Sequence, residues 1–188
     1  LDALSKIANV QAIKLDVTQQ ADVDAAVVTI TKAGRGLHGL VNNAGVPARG
    51  SFLDIDPERV ERAIDVNYLG GLWCLRAFLP GLRAAAAEGG AHVVNMVSVA
   101  GTVAFAPAGA YAASKHAQLA FSRSTTALLR GTGIRVHTVM PGFVETEGFP
   151  QRTKLRSPLL RRFVIEPEDV AKAVVSAVNR ALRGTVTA

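Results

Sequence analysis

Tyr111 and Lys115 are the residues whose types and spacing could do chemistry. They lie four positions apart in a segment with helical character, so their side chains should project from one helix face, one turn apart. An ammonium close to a phenol favours the phenolate and lowers the tyrosine pKa from about 10. A tyrosine tuned in this way can exchange a proton with an alcohol oxygen. Taken alone, the spacing is weak evidence, because such pairs are most often ordinary solvated helix neighbours.

Ser98 adds a hydroxyl 13 residues before Tyr111, where an apolar strand is predicted to end. In open α/β sheets, ligands collect at the carboxyl ends of the strands. A hydroxyl there could hydrogen-bond a substrate carbonyl and stabilise the charge that develops on its oxygen. A lone serine at this place would be interpreted as a turn residue, but its combination with the Tyr–Lys pair is more specific.

The elements that must position these residues are short apolar strands alternating with amphipathic helices, which predicts an α/β fold with a mostly parallel sheet. Strands are predicted at residues 10–17, 37–41, 92–97 and 134–140, with a last one starting at 185–187. Helices are predicted at residues 21–33, from 56 to about 80, at 109–130 and from 166 onward, with a helix tail and loop at 84–90. No linker or repeat interrupts the pattern, so residues 1–188 should form a single domain.

Gly34, Gly36 and Gly39 match the spacing of a dinucleotide-binding turn. That turn works only between a strand and a helix, because the pyrophosphate must meet the helix N-terminal amides. Here a predicted helix precedes the glycines and a strand follows them. They are therefore predicted to end a helix, with no role in binding phosphate.

Several motifs recur in a fixed order: Asn42-Asn43-Ala44-Gly45, Asn67, Ser98, Tyr111-Ala112-Ala113-Ser114-Lys115, and Pro141-Gly142 followed by Thr146. This order resembles the classical short-chain dehydrogenase/reductase family, from Asp16 to about Ala173. The resemblance implies a Rossmann-like, doubly wound, three-layer fold with a mostly parallel sheet. It also implies an enzyme that uses NAD or NADP.

The resemblance implies a role for each matching residue in the chemistry. Tyr111 would be the acid/base, Ser98 would polarise and orient the substrate oxygen, and Lys115 would tune Tyr111 and hold the nicotinamide ribose. Asn67 would support a water relay from Lys115 toward solvent. Without the other motifs, Asn67 would be an unremarkable polar residue within a helix.

The implied cofactor contacts fall into two groups. On the adenosine side they are Asp16, Val17, Asn43, Ala44 and Gly45, and around the nicotinamide carboxamide they are Pro141, Gly142, Val144 and Thr146. Asp16 would meet the adenine amino group. The alternatives are structural, since asparagines before a glycine form turns and Pro-Gly ends a strand.

One part of the family pattern has no counterpart here. Family members begin with a strand, a glycine-rich turn, a helix and a second strand, and none of these precedes Leu1. We therefore expect an N-terminally truncated domain in which the strand at 10–17 has no pairing partner and cofactor binds weakly. The residue that distinguishes NAD from NADP belongs to the missing part.

The leading functional prediction is an NAD(P)-dependent oxidoreductase that interconverts an alcohol and a ketone by hydride transfer. The alternative is a non-catalytic fragment that acts only by association with partner chains.

The family keeps its substrate lid at the position of residues 145–165. The lid here has apolar residues (Phe149, Leu155, Leu159, Leu160 and Phe163) and basic ones (Arg152, Lys154, Arg156, Arg161 and Arg162). It suits a largely apolar substrate, although leucine and phenylalanine at such spacing more often only pack the lid against the protein. Membrane contact is not expected. The resemblance also implies a homodimer or homotetramer formed through the helix after Asp56 and the helix of Tyr111.

Composition excludes several other classes. Hydrophobic residues make up 49% of the chain and charged ones 19%, which is typical of a globular domain. The single Cys74 suits a reducing compartment and a cytoplasmic location, and the four scattered histidines predict no metal site. The net charge of +6 is best explained by a solvated basic loop, with an acidic partner as the weaker alternative. Basic and aromatic residues do not alternate, so no nucleic-acid partner is expected.

Overall fold

A three-stranded parallel sheet is the centre of the computed structural model, which describes residues 4–34, 36–104, 106–147, 150–155 and 157–183. The strands are β1 (Gly39–Asn42), β2 (Ala91–Met96) and β3 (Ile134–Val139), paired in the order β1-β2-β3. Helical crossovers join them, as neighbouring parallel strands require. The predicted α/β architecture is confirmed, with these three strands shifted by at most two residues from their predicted bounds.

Helices cover both faces of this sheet. The helices of the described residues are α1 (Gln20–Lys32), α2 (Pro57–Ile64), α3 (Gly71–Glu88), α4 (Gly109–Leu128), α5 (Gln151–Lys154), α6 (Pro158–Arg161) and α7 (Pro167–Arg183). A π-helical segment (Asp65–Gly70) joins α2 to α3, and 3-10 turns occupy Leu4–Lys6 and Val99–Gly101. Side chains alternate along β2, so Val93 packs against α3 and α4 while Val94 faces α7. Helices on both faces of a parallel sheet make the Rossmann-like, doubly wound class that the sequence predicts.

The predicted strand at residues 10–17 is wrong. That segment has irregular backbone, because no described strand lies beside it to receive its hydrogen bonds. Two of its apolar side chains nevertheless contribute to the core, because Leu15 and Val17 pack against the cluster between α1 and α3. The Asp16 carboxylate then accepts hydrogen bonds from the Thr18 amide and hydroxyl, which turns the chain into α1.

The helix after Asp56 starts as predicted and ends later than predicted. The Asp56 carboxylate accepts a hydrogen bond from the Glu58 amide, with Pro57 in the first turn. The predicted end at about residue 80 is wrong, because Pro80 lies inside α3. The cost of an internal proline, about 3 kcal/mol, is offset because the next turns bury Leu82 and Ala85 against the sheet.

A chain of buried polar side chains crosses the sheet and reaches α4. Asn42 of β1 donates to the Asn95 side-chain oxygen over 2.9 Å, and Asn95 of β2 donates to the Ser122 hydroxyl over 2.9 Å. Ser122 of α4 lies 2.7 Å from the Thr138 hydroxyl of β3. These contacts fix the three strands to the helix that carries Tyr111 and Lys115. Asn42, predicted as a possible turn former, is thus a buried structural residue.

Gly34 and Gly36 lie between α1 and β1, and Gly39 is the first residue of β1. Gly34 has the positive φ of 65° that often ends a helix, as predicted. Cys74 is buried in the core between α1 and α3. The predicted strand at 185–187 lies outside the described residues. Within the described ranges, every helix is too short or too polar to cross a lipid bilayer.

Candidate active site

The main cavity opens at the carboxyl ends of the three strands and has a volume of about 630 Å³. Ser98, two residues beyond β2, lies on its wall with Tyr111 and Lys115 of α4. The Ser98 hydroxyl accepts a hydrogen bond from the Ala100 amide over 3.1 Å and thereby caps the following 3-10 turn. The structure therefore brings three of the four predicted catalytic side chains to one cavity, and Asn67 does not line it.

Tyr111 is partly buried in this wall. Burial raises the pKa of its phenol above the ordinary value of 10.0, while a hydrogen bond from Ser98 and the positive charge of Arg49 act in the opposite direction. The spacing of Tyr111 and Lys115 predicted the reverse, a pKa lowered by the ammonium. That prediction is wrong for this structure, because removal from water is the largest effect on the phenol.

Lys115 is buried in the same wall, with 4% of its surface exposed. Its ammonium donates to the Met96 carbonyl over 3.0 Å and to the Gln118 side-chain oxygen over 2.7 Å. It lies 5.9 Å from the centroid of the Tyr111 ring. Burial lowers the pKa of Lys115 from 10.5 to about 8. Two neutral oxygens therefore hold the Lys115 nitrogen, and the Tyr111 ring lies beside it.

Asn67 lies in the π-helical segment and is almost completely buried. Its side-chain oxygen accepts from the Val46 amide over 2.7 Å, and its nitrogen donates to the Val46 carbonyl and to the Ser114 hydroxyl. These bonds fix the loop after β1 to α4. The side chain is thus occupied structurally, and the predicted water relay stays a prediction.

The predicted cofactor residues divide between two cavities. Those at the nicotinamide side line the main cavity with Asn43 and Gly45: they are Pro141, Gly142, Val144 and Thr146. Val17, Asn43 and Ala44 line a second cavity of about 220 Å³, next to Asn67. Asp16 lines neither cavity; its carboxylate is used by Thr18 and by the turn into α1. Every predicted cofactor residue except Asp16 therefore lines one of these two cavities.

The main cavity fits the nicotinamide–ribose half of a dinucleotide. A Cβ added to Gly45 would lie 3.4 Å from the Asn67 oxygen and 3.9 Å from the Lys115 nitrogen, so the glycine leaves space for a ligand beside both. Apolar walls from Pro141 and Val144 suit a flat ring, and the Lys115 ammonium suits ribose hydroxyls.

The segment at 145–165 contains α5, α6 and a bridge between Val144 and Ile165. Leu159, Leu160 and Phe163 are exposed, so they do not pack this segment down. Phe149 and Arg156 lie outside the described residues. Arg152 pairs with Glu166 at the surface, which supports the interpretation of the basic residues as solvated.

Sequence reasoning missed several residues that the fold adds to the site. Met96, Gln151 and Val170 line the main cavity, and Gln118 contacts Lys115. The strand-end position of Met96 was available as a signal. Gln118 lies three residues after Lys115, on the same helix face, but no motif marks it.

Comparisons with known proteins agree with this geometry. The family model described as short chain dehydrogenase matches residues 2–156. A 2-(S)-hydroxypropyl-CoM dehydrogenase of Xanthobacter autotrophicus is 34% identical over 85% of this chain and 66% of its own length. A 3-alpha-(or 20-beta)-hydroxysteroid dehydrogenase of Mycobacterium bovis is 37% identical over 71% of the chain and 50% of its own length. The chain thus spans about half to two thirds of these relatives.

Solved structures give the same result. A short-chain dehydrogenase from Streptomyces avermitilis superposes with a TM-score of 0.78 at 26% identity, covering 95% of this chain and 70% of that one. The structure of ElxO with NADP bound superposes with a TM-score of 0.74 at 26% identity, covering 85% of this chain and 67% of that one. With the match of the family model over residues 2–156, these findings show that the chain belongs to the short-chain dehydrogenase family.

Proposed function

We propose that this chain performs the oxidoreductase chemistry of an NAD- or NADP-dependent enzyme that interconverts an alcohol and a ketone. One observation carries the proposal: Ser98, Tyr111 and Lys115 line the wall of one cavity. This cavity lies at the strand ends, where ligands of such sheets bind.

Lys115, Gly45 and the Pro141–Thr146 segment would hold the nicotinamide–ribose half of the cofactor. When bound, the nicotinamide ring would supply the hydride acceptor for alcohol oxidation or the hydride donor for ketone reduction. The relatives support this use, since one structural neighbour is described with NADP bound and a Schizosaccharomyces pombe relative is named as NADPH-dependent.

Tyr111 would move the proton that accompanies the hydride. Its raised pKa keeps the phenol protonated near neutral pH, so in reduction it donates its proton to the oxygen of the former carbonyl. In oxidation the proton would move in the opposite direction, from the alcohol hydroxyl to Tyr111, which must first have lost its own proton. The Ser98 hydroxyl donates to the Pro141 carbonyl over 3.5 Å in this structure and would turn to donate to the same substrate oxygen and hold it in place.

The substrate class follows from the side chains that line the main cavity. Apolar residues form much of its wall, among them Val97, Val144, Val170 and Val174. An apolar wall favours an apolar ligand. We therefore include a largely apolar small alcohol or ketone in the proposal.

The proposal is tested by Tyr111→Phe, with Tyr68→Phe as the matched control, because these are the two tyrosines of the chain. Turnover is followed by nicotinamide absorbance with a panel of apolar ketones and secondary alcohols, and cofactor binding by fluorescence titration. Tyr111→Phe should lower kcat by at least about 100-fold and leave cofactor affinity nearly unchanged. Tyr68→Phe should stay close to the unsubstituted protein. Turnover retained by Tyr111→Phe would refute the assignment.

A second candidate is association with other chains without turnover. Within the described residues β1 pairs only with β2, and Val41 at its outer edge is 53% exposed. An unpaired strand edge favours pairing with another chain. This candidate would be favoured if light scattering after size-exclusion chromatography gave the mass of a dimer or larger assembly and the unsubstituted protein showed no turnover. Assembly through α2, α3 and α4 into a dimer or tetramer, and a cytoplasmic location, stay predictions.

A further inference from the structure

Lys115 is a buried cation whose charge no described carboxylate balances. The described salt bridges lie elsewhere, and its nitrogen is solvated by two neutral oxygens, from Met96 and Gln118. Burying a charged group costs free energy unless hydrogen bonds replace the lost water. Holding the ammonium in the cavity wall therefore depends on these two acceptors.

Gln118 supplies the side-chain oxygen of these two acceptors. It is 3% exposed and lies one turn after Lys115 on α4, with its oxygen 2.7 Å from the Lys115 nitrogen. The nearby Asn67 is not available for this task, because Val46 and Ser114 occupy its side chain. The Met96 oxygen belongs to the backbone of β2, so substitution at Gln118 is the direct way to change the contacts of the ammonium.

An ammonium has three N–H donors, and Met96 and Gln118 take two of them. Since Lys115 also lines the main cavity, one donor is left for a hydroxyl of a ligand there. An amide oxygen fixes the direction of the ammonium without neutralising its charge. A carboxylate at the same place would form an ion pair and cancel much of the positive potential that the cavity receives.

We propose that Gln118 is a positioning residue for the reaction: its side-chain oxygen holds the Lys115 ammonium in the cavity wall, charged and with one donor directed to the ribose hydroxyls of the cofactor. This proposal rests on the proposed function for its last part. The contact between Gln118 and Lys115 itself can be tested without turnover.

Two variants separate the parts of the proposal, with Gln118→Met removing the acceptor at similar volume and Gln118→Glu replacing it by a charge. Exposed Gln11→Met is the matched control. The first measurement is the titration of Lys115 by NMR in protein labelled with 13C at lysine Cε, assigned by the loss of its signal in Lys115→Met. Tyr111 is the titratable group in described contact with the ammonium, so the titration is repeated in Tyr111→Phe.

We expect Gln118→Met to lower the Lys115 titration midpoint, because the charged form loses a hydrogen bond, and Gln118→Glu to raise it. With cofactor, Gln118→Met should raise its dissociation constant and KM about tenfold, and kcat should change less than KM. The alkaline limb of the pH–rate profile, where the Lys115 ammonium loses its proton, should move with the Lys115 midpoint.

An unchanged Lys115 midpoint in both Gln118 variants would overturn the proposal, whatever the enzyme activity. A shifted midpoint with cofactor affinity within twofold of the control would overturn the part that concerns the cofactor. If Gln118→Met does not fold, the direction of the Gln118→Glu midpoint decides, and a fall or no change counts against the proposal. Failure of the proposed function is a separate result, because it is read from the turnover of Tyr111→Phe.

Discussion

The buried ammonium of Lys115 leads to a prediction about how stability changes with pH. Its pKa is about 8 in the folded protein against an ordinary value of 10.5, because burial disfavours the charged form. Below pH 8 both states hold the proton and the folded state carries the cost of the buried charge. Between pH 8 and 10.5 the unfolded state binds more protons, so stability must rise with pH through this window.

The size of this effect follows from the two pKa values. One pH unit of difference corresponds to about 1.4 kcal/mol, so the full difference is worth about 3 kcal/mol. Between pH 7 and 9.5 the rise expected from this group alone is about 2 kcal/mol. Cys74 and Tyr111, whose pKa values burial raises, act in the opposite direction at high pH. A comparison of variants that keep both groups removes their contribution.

The test is urea unfolding of the unsubstituted protein, Lys115→Met and the exposed control Lys32→Met, followed by circular dichroism from pH 7 to 9.5. Relative to Lys115→Met, the unsubstituted protein should gain about 2 kcal/mol over this range. Lys32→Met should change in parallel with the unsubstituted protein. Substitution at Lys115 also removes the partner of Gln118, which shifts all values for that variant but not their slope. Parallel curves for the unsubstituted protein and Lys115→Met, within about 0.5 kcal/mol, would show that the ammonium is solvated and the reasoning wrong.

Two further substitutions test the packing that supports the site. Asn95→Leu should lower the free energy of unfolding by about 2–4 kcal/mol, because it leaves the buried Asn42 amide without its hydrogen-bond acceptor. The double change to leucine at Asn42 and Asn95 should recover part of this loss. Urea unfolding measures both, and a single variant as stable as the unsubstituted protein contradicts the role of the network. Gly101→Ala would place a Cβ 2.9 Å from the Lys115 backbone oxygen and should cost about 1–3 kcal/mol. Gly39→Ala, which meets nothing closer than 4.0 Å, is its control, and equal thermal midpoints for the two variants would count against the predicted clash.

The sequence predicted the parts of the fold that local patterns control. Tyr111 and Lys115 share a helix face because their spacing demands it, and Ser98 follows β2 because an apolar run ends there. The role of Gly34 as a helix stop was also predictable, since the order of helix and strand around it is a local property. A single domain over residues 1–188 stays a prediction.

The rest depends on contacts between distant parts of the chain. The segment at 10–17 has the composition of a strand, but pairing needs a neighbour that composition does not reveal. Pro80 breaks helices in isolation, yet burial of Leu82 beyond it outweighs that cost. The direction of the Tyr111 pKa depends on how much water the fold removes from the phenol. Spacing carries no information about that quantity.

The π-helical segment at Asp65–Gly70 changes the rotational phase of the long helix that contains it. A π turn holds about one residue more than an α turn, so side chains after it point in a different direction from the one that α2 would have continued. Ala63 before the segment packs toward Ala110, whereas Leu75 and Phe78 after it pack in the clusters beneath the sheet and α1. The helix thus serves two differently oriented surfaces without a break. Deleting one residue here would restore an ordinary helix and rotate one of those surfaces out of register, so the length of this segment matters as much as its composition.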